Sequence, residues 1–167
     1  MAECKSVATP LIANEKLKKE DGAKEADVAA YMSLIGSLLY LAATRSDIMY
    51  ATSLLSRFMQ YPIQIHFGDA KRVLRYIQGT KDLDIWYKPS SHSTLTSFTD
   101  SDWAGSVDNM RSTSGYYFNL GIGVFSWGSK KQGYVSQSIA EVENVATARA
   151  TNQAIWLSKI LEDMGAK

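Results

Sequence analysis

Cysteine is nearly missing: Cys4 is the one thiol among 167 residues. That excludes an intramolecular disulfide and any zinc site built on several cysteines, and it fits a reducing compartment. The two histidines, His66 and His92, have no acidic or cysteine neighbours at ligand spacing. Both are expected to pack or to face solvent rather than to bind metal. Charge of one sign is also lacking, since the formal net charge is +1. No overall field draws the chain to nucleic acid or to an anionic membrane, which leaves local basic patches as the only electrostatic signal. No apolar run is long enough to span a bilayer, and the start, Met-Ala-Glu-Cys-Lys-Ser, lacks the apolar core of a secretory signal. An intracellular protein with no membrane partner is expected.

What is present suffices for a core. A 46% hydrophobic content over this length fits one domain or two small ones. Residues 1–24 carry Pro10 and a charged run from Glu15 to Lys24, the composition of a flexible arm. Val7, Pro10, Leu11 and Ile12 are apolar enough for the alternative, an ordered arm docked on a partner.

From Glu25 the pattern turns helical. Val28, Tyr31, Met32, Ile35, Leu38 and Leu39 recur at three- and four-residue steps, and Leu34 and Leu41 widen the stripe nearly all round. A well-buried helix ending near Thr44 is predicted. Ser46 or Asp47 then caps a second helix, with Ile48, Ala51, Leu54, Leu55, Phe58 and Met59 on one face, until Pro62 interrupts it. A third helix runs from Gln64 to Gln78 and stops at Gly79. It also carries Lys71, Arg72 and Arg75. Such a cluster either contacts phosphates or is simply a solvated face.

Beyond Gly79 the period changes to two. Leu83, Ile85 and Tyr87 read as a strand, and Pro89 to Thr94 as a polar linker, placing a helical unit at 25–89 and a second unit at 94–167. Strands are predicted at Leu95–Thr99, Gly115–Leu120 and Val124–Ser129, the last two joined by Gly121-Ile122-Gly123. A long helix from about Ala140 to Met164 follows and ends at Gly165. The fold class is therefore mixed α+β or α/β: a helical unit, then a three-stranded antiparallel meander and a long helix.

Two acidic pairs stand out in that frame. Asp100 and Asp102 lie where the first strand of the meander breaks toward Gly105, and Glu141 and Glu143 open the last helix. Carboxylates converging from different elements are what two magnesium ions roughly 4 Å apart require, one activating water and the other steadying the leaving oxygen. Acidic residues at strand ends and helix starts also serve simply as turn formers and caps.

Four segments settle which family the pattern resembles: Phe98-Thr99-Asp100-Ser101-Asp102-Trp103-Ala104-Gly105, Arg111-Ser112-Thr113-Ser114-Gly115-Tyr116, Phe125-Ser126-Trp127-Gly128-Ser129-Lys130-Lys131-Gln132 and Ala140-Glu141-Val142-Glu143. They resemble the ribonuclease H domain of copia-type retrotransposon polyproteins. Tyr31 to Leu41, Ala43 to Ile48 and Ala70 to Tyr76 resemble the region between reverse transcriptase palm and nuclease in the same polyproteins. The resemblance implies an incomplete ribonuclease H-like fold, Mg²⁺ as cofactor, and an RNA·DNA hybrid as partner. It places catalytic, metal-binding carboxylates at Asp100 and Glu143, with Asp102 and Glu141 as second choices. In a nuclease of this kind Lys71, Arg72, Arg75, Lys130 and Lys131 would be the cations that hold phosphates.

Departures accompany it. Asn144 and Ser46 replace the family's tyrosine and proline, and its third and fourth carboxylates, on elements after the long helix, have no counterpart here. Glu162 and Asp163 cannot substitute, because about 19 helical residues at ~1.5 Å each put them roughly 28 Å from Glu143. Loss of turnover is therefore expected, leaving a binding or interaction protein. The alternatives are a Mg²⁺-dependent hybrid endonuclease and a translated remnant without a selected role. An exposed sheet edge, open to a protein partner or to self-association, is expected as well.

Overall fold

The computed structural model describes residues 4–13, 15–20, 22–88 and 94–165. Most of the expected linker, 89–93, and with it His92, lies outside them. The chain divides into two units, Met1–Leu83 with Ser106–Asp108, and Asp84–Gly105 with Asn109–Lys167.

The first unit is helical: α1 (Val28–Leu41), α2 (Met49–Leu55) and α3 (Gln64–Gly79). Asp27 caps α1 by accepting from the Ala30 N–H at 3.0 Å. Tyr31, Ile35 and Leu38 of α1 meet Ala51 and Leu55 of α2 and Ala70 and Val73 of α3 in one buried cluster. The Tyr31 hydroxyl donates to the Leu55 carbonyl at 2.9 Å, so the polar tip of that buried ring is satisfied. The helix is buried on one side only, because Val28, Met32 and Leu39 are exposed. The nearly all-round apolar stripe of α1 overstates its burial, because its two helical partners cover a single face.

Neither Ser46 nor Asp47 caps α2 in the expected way. Residues Ser46–Ile48 form a 3-10 turn, and a second such turn, Ser56–Phe58, finishes the helix. Asp47 instead receives two bonds from Arg45, at 2.9 and 2.6 Å, and Arg45 also donates to Thr80 Oγ1 at 2.7 Å. That contact ties the α1–α2 connection to the end of α3. Bonding to Arg45 is the chief reason the Asp47 carboxyl stays below its ordinary range.

The segment expected to be a flexible arm lies against α3 instead. Arg72 donates to Thr9 Oγ1 at 3.1 Å, and Arg75 to the Lys5 carbonyl at 2.8 Å. Fully buried His66 stacks on Phe58 at 3.9 Å, accepts from the Ile63 N–H and bonds the Lys18 carbonyl at 2.9 Å. It is a packing and capping residue.

Asp69 is the strained member of this unit. Its Oδ2 is buried without a partner among the described residues, and burial, aided by the Glu15 charge and opposed by Arg72, pushes its pKa up to about 6. The folded chain therefore holds this proton more tightly than the unfolded chain, whose carboxyl titrates near 3.8. Stability contributed here declines as pH rises from about 4 to about 6. Asp69→Asn is expected to raise stability at pH 7 by about 1–2 kcal/mol after screening, and to do little at pH 3. Urea unfolding at both pH values checks this; an equal gain at both would exclude ionisation as the cause.

The second unit holds β1 (Leu95–Ser101), β2 (Thr113–Leu120), β3 (Gly123–Lys131) and α4 (Ile139–Asp163). The sheet is antiparallel in the order β1-β2-β3, with a register shift at Phe118/Asn119. Leu120 pairs with Gly123, and Gly121 between them takes φ 63, as a tight two-residue hairpin of this hand demands. Buried Phe118 lies on the face that α4 covers with Val142, Ala146, Ala150 and Leu157. The strand expected over Leu83–Tyr87 does not form. No strand pairs with it among the described residues; Tyr87 instead packs its ring over Gly123 and donates to the Val124 carbonyl at 2.6 Å. The fold is thus mixed α+β, four helices with an open three-stranded sheet among the described residues.

Candidate acidic site

β1 ends in the Asp100–Gly105 turn, and two hydrogen bonds decide which of its carboxylates is available. Asp102 Oδ1 accepts from the Thr113 N–H while its own N–H donates to the Thr113 carbonyl at 3.1 Å, so Asp102 locks the turn to the start of β2. Gly105 is required beside it, because a Cβ there would fall 2.0 Å from Asp102 Oδ2. Ala104, at φ 51, donates its N–H to buried Ser112 Oγ at 3.0 Å. Asp100 is exposed, and among the described residues its side chain accepts only the adjacent Ser101 N–H, at 2.8 Å.

The same division holds at α4. Ser138 caps the helix by accepting from the Glu141 N–H at 3.2 Å, and Glu141 reaches back to the Gln137 N–H at 2.8 Å. This is a capping-box arrangement displaced by one residue. Glu143 points to solvent and has no such bond among the described residues. Asp102 and Glu141 are therefore structural, and Asp100 and Glu143 are the unengaged pair.

Both unengaged carboxylates flank one end of the sheet. Ser101 pairs with Ser114, and Gln132 bridges Ser114 Oγ (2.8 Å) to the Val142 carbonyl (3.1 Å) in the first turns of α4. Their faces differ, however. Ser97 and Thr99 line a groove with Thr147, Thr151 and Ala154 of α4, so strand alternation sends Phe98 and Asp100 to the opposite face. Among the described residues no three His, Cys, Asp or Glu gather as a metal-binding group.

Gln132 is the residue that sequence reasoning passed over. It is 4% exposed and also accepts from Ser136 Oγ at 3.1 Å. This buried amide bonds the start of β2 to the opening turns of α4. Its polarity alone suggests a surface position.

The basic residues are divided between the two units. Lys71, Arg72 and Arg75 belong to the helical unit, where Lys71 sits over the Phe67 ring at 4.3 Å and the two arginines hold the N-terminal segment. Lys130 and Lys131 belong to the sheet unit, and as successive strand residues they face opposite sides of β3.

These features define an α+β protein with a helical unit and a sheet-and-helix unit that bears the acidic residues, a class rather than a particular molecule. Comparison narrows it. The chain is 40% identical over 165 residues to the retrovirus-related Pol polyprotein from transposon RE2 of Arabidopsis thaliana, covering 99% of this chain and 11% of that polyprotein. It is 37% identical to the corresponding polyprotein from transposon TNT 1-94 of Nicotiana tabacum, covering 13% of it. Secreted RxLR effector protein 161 of Plasmopara viticola is 42% identical over 129 residues, 77% of this chain and 91% of that protein. The chain belongs to the family of retrovirus-related Pol polyproteins of copia-type retrotransposons. No family model and no solved structure matches it. Among the described residues no helix is long and apolar enough to cross a membrane.

Proposed function

We propose that this retrotransposon-derived chain is a ribonuclease H-like module that acts inside the cell by binding RNA·DNA hybrid without cutting it. The observation carrying this reading is the split among the four acidic candidates: two are consumed by the turn and the helix cap, and the two left over, Asp100 and Glu143, sit on different faces. Carboxylate oxygens suit Mg²⁺ by hardness, yet two such groups fall short of the ligand set that a two-metal centre needs. Any Mg²⁺ bound there would be weakly held and water-rich, and no catalytic step is assigned to it. Hybrid affinity would come from exposed cations such as Lys71 and Lys130, and would fall with salt. Intact Asp100 and Glu143 favour the nuclease as the second reading.

Fluorescence anisotropy with a labelled RNA·DNA hybrid is expected to show salt-sensitive binding that Asp100→Asn leaves unweakened, with no cleavage when Mg²⁺ is added. Cleavage that disappears in Asp100→Asn would establish the nuclease instead. An absence of binding even at low salt would sink the hybrid as partner.

A further inference from the structure

Arg72 and Arg75 lie one turn apart on α3, and residues 5–9 cover both. Arg75 Nε donates to the Lys5 carbonyl at 2.8 Å, and Arg72 Nη2 to Thr9 Oγ1 at 3.1 Å. Between these two ties Ser6 sits so close to Gly79 that a Cβ there would fall 2.7 Å from Ser6 Cβ. Leu11, just beyond Thr9, packs against the helical core and anchors the segment.

The cover is badly matched in charge to what it covers. Lys5 to Ala13 carries one charge, that of Lys5, with the same sign as the two arginines. Both guanidiniums donate to neutral oxygens, and among the described residues neither makes an ion pair with a carboxylate. Arg72 Nε is buried without a partner among the described residues, a donor satisfied neither by water nor by the cover. A guanidinium grips a phosphate through two parallel N–H groups, and Nε with the neighbouring Nη2 is one such fork. That fork is closed in both residues. In Arg75 the Nε is taken, and in Arg72 it is buried beside an Nη2 that is taken.

We propose that Arg72 and Arg75 are a phosphate-binding face held closed by residues 5–9, and that the backbone of a bound RNA·DNA hybrid displaces the segment. This rests on the hybrid reading above. Lys71, exposed beside the pair, contacts phosphate in the closed chain, and opening adds two guanidiniums to it.

Gly79→Ala opens the face without touching an arginine, because its Cβ takes the place of Ser6. A nitroxide on Cys4, the chain's one thiol and exposed, reads docking in the absence of nucleic acid. Its spectrum should be restricted in the parent and mobile in Gly79→Ala, and hybrid added to the parent should make it mobile. Fluorescence anisotropy should show Gly79→Ala binding the hybrid about threefold or more tighter, with a log–log salt slope steeper by roughly 1.4–1.8, the share of two phosphates. Ser6→Gly added to Gly79→Ala restores the space and should return both label and affinity to the parent's values. Arg72→Gln with Arg75→Gln, in the Gly79→Ala chain, should remove the gain in affinity while the label stays mobile. A label that Gly79→Ala does not loosen overturns the proposal. So does a loosened segment with weaker binding, which would make residues 5–9 part of the phosphate site itself. Hybrid binding by the parent with no gain in Gly79→Ala overturns the masking and leaves the hybrid reading in place; no binding by either chain overturns both.

Discussion

Gln132→Ala is expected to destabilise the sheet unit by about 3 kcal/mol, a fall in melting temperature of roughly 10–20 °C for a unit of this size. The side chain makes three bonds from a position closed to water: two donated by Nε2, to Ser114 Oγ and the Val142 carbonyl, and one accepted by Oε1 from Ser136 Oγ. Alanine deletes all three and leaves Ser114 and Ser136, themselves buried, short of a partner. Each such loss costs about 1 kcal/mol or more, and the vacated volume adds to it. Gln132→Leu separates the contributions, because it refills the volume without restoring the bonds. It is expected to recover less than half of the loss. Hydrogen exchange should quicken first in β2 near Ser114 and in the opening turns of α4. If thermal unfolding of Gln132→Ala matches the parent within a degree or two, the clamp does not hold helix to sheet.

That residue also marks where the sequence stops being readable. Helices and strands follow from apolar spacing, a local property, and α3, α4 and the three strands form close to where spacing puts them. Leu83–Tyr87 has the right alternation for a strand and is not one, since alternation only prepares a segment for pairing and among the described residues no strand pairs with it. The breadth of the apolar stripe on α1 overstates its burial for a related reason: how much of a stripe is covered depends on how many elements arrive. Gln132 connects residues 18 and 10 positions away in opposite directions, and nothing in its neighbourhood announces either partner. The acidic pairs are intermediate. Ser138 followed three residues later by Glu141 carries a readable capping signature. The engagement of Asp102 by Thr113 needs the β1–β2 pairing to bring them together.

The second large effect concerns that engagement, and it should reverse sign between adjacent residues. Gly105→Ala is expected to cost about 2–3 kcal/mol, because its Cβ would lie 2.0 Å from Asp102 Oδ2 and 2.6 Å from Cγ, forcing the carboxylate away from the Thr113 N–H. Ala104→Gly is expected to be neutral or to gain up to about 1 kcal/mol. Ala104 already sits at φ 51, a conformation that burdens a side chain and suits glycine. A helix- or strand-propensity account predicts the opposite ordering, alanine better than glycine at both positions. The cause can be isolated with a double-mutant cycle. If the cost of Gly105→Ala is the displaced Asp102 carboxylate, then Asp102→Ala, itself destabilising by about 1–3 kcal/mol, removes the clash, and the double variant should be no less stable than Asp102→Ala alone. Additive losses would mean that Gly105 is required for the path of the backbone instead. Asp100→Asn, two residues away, should leave the unfolding midpoint unchanged, since among the described residues its carboxylate accepts only the neighbouring Ser101 N–H.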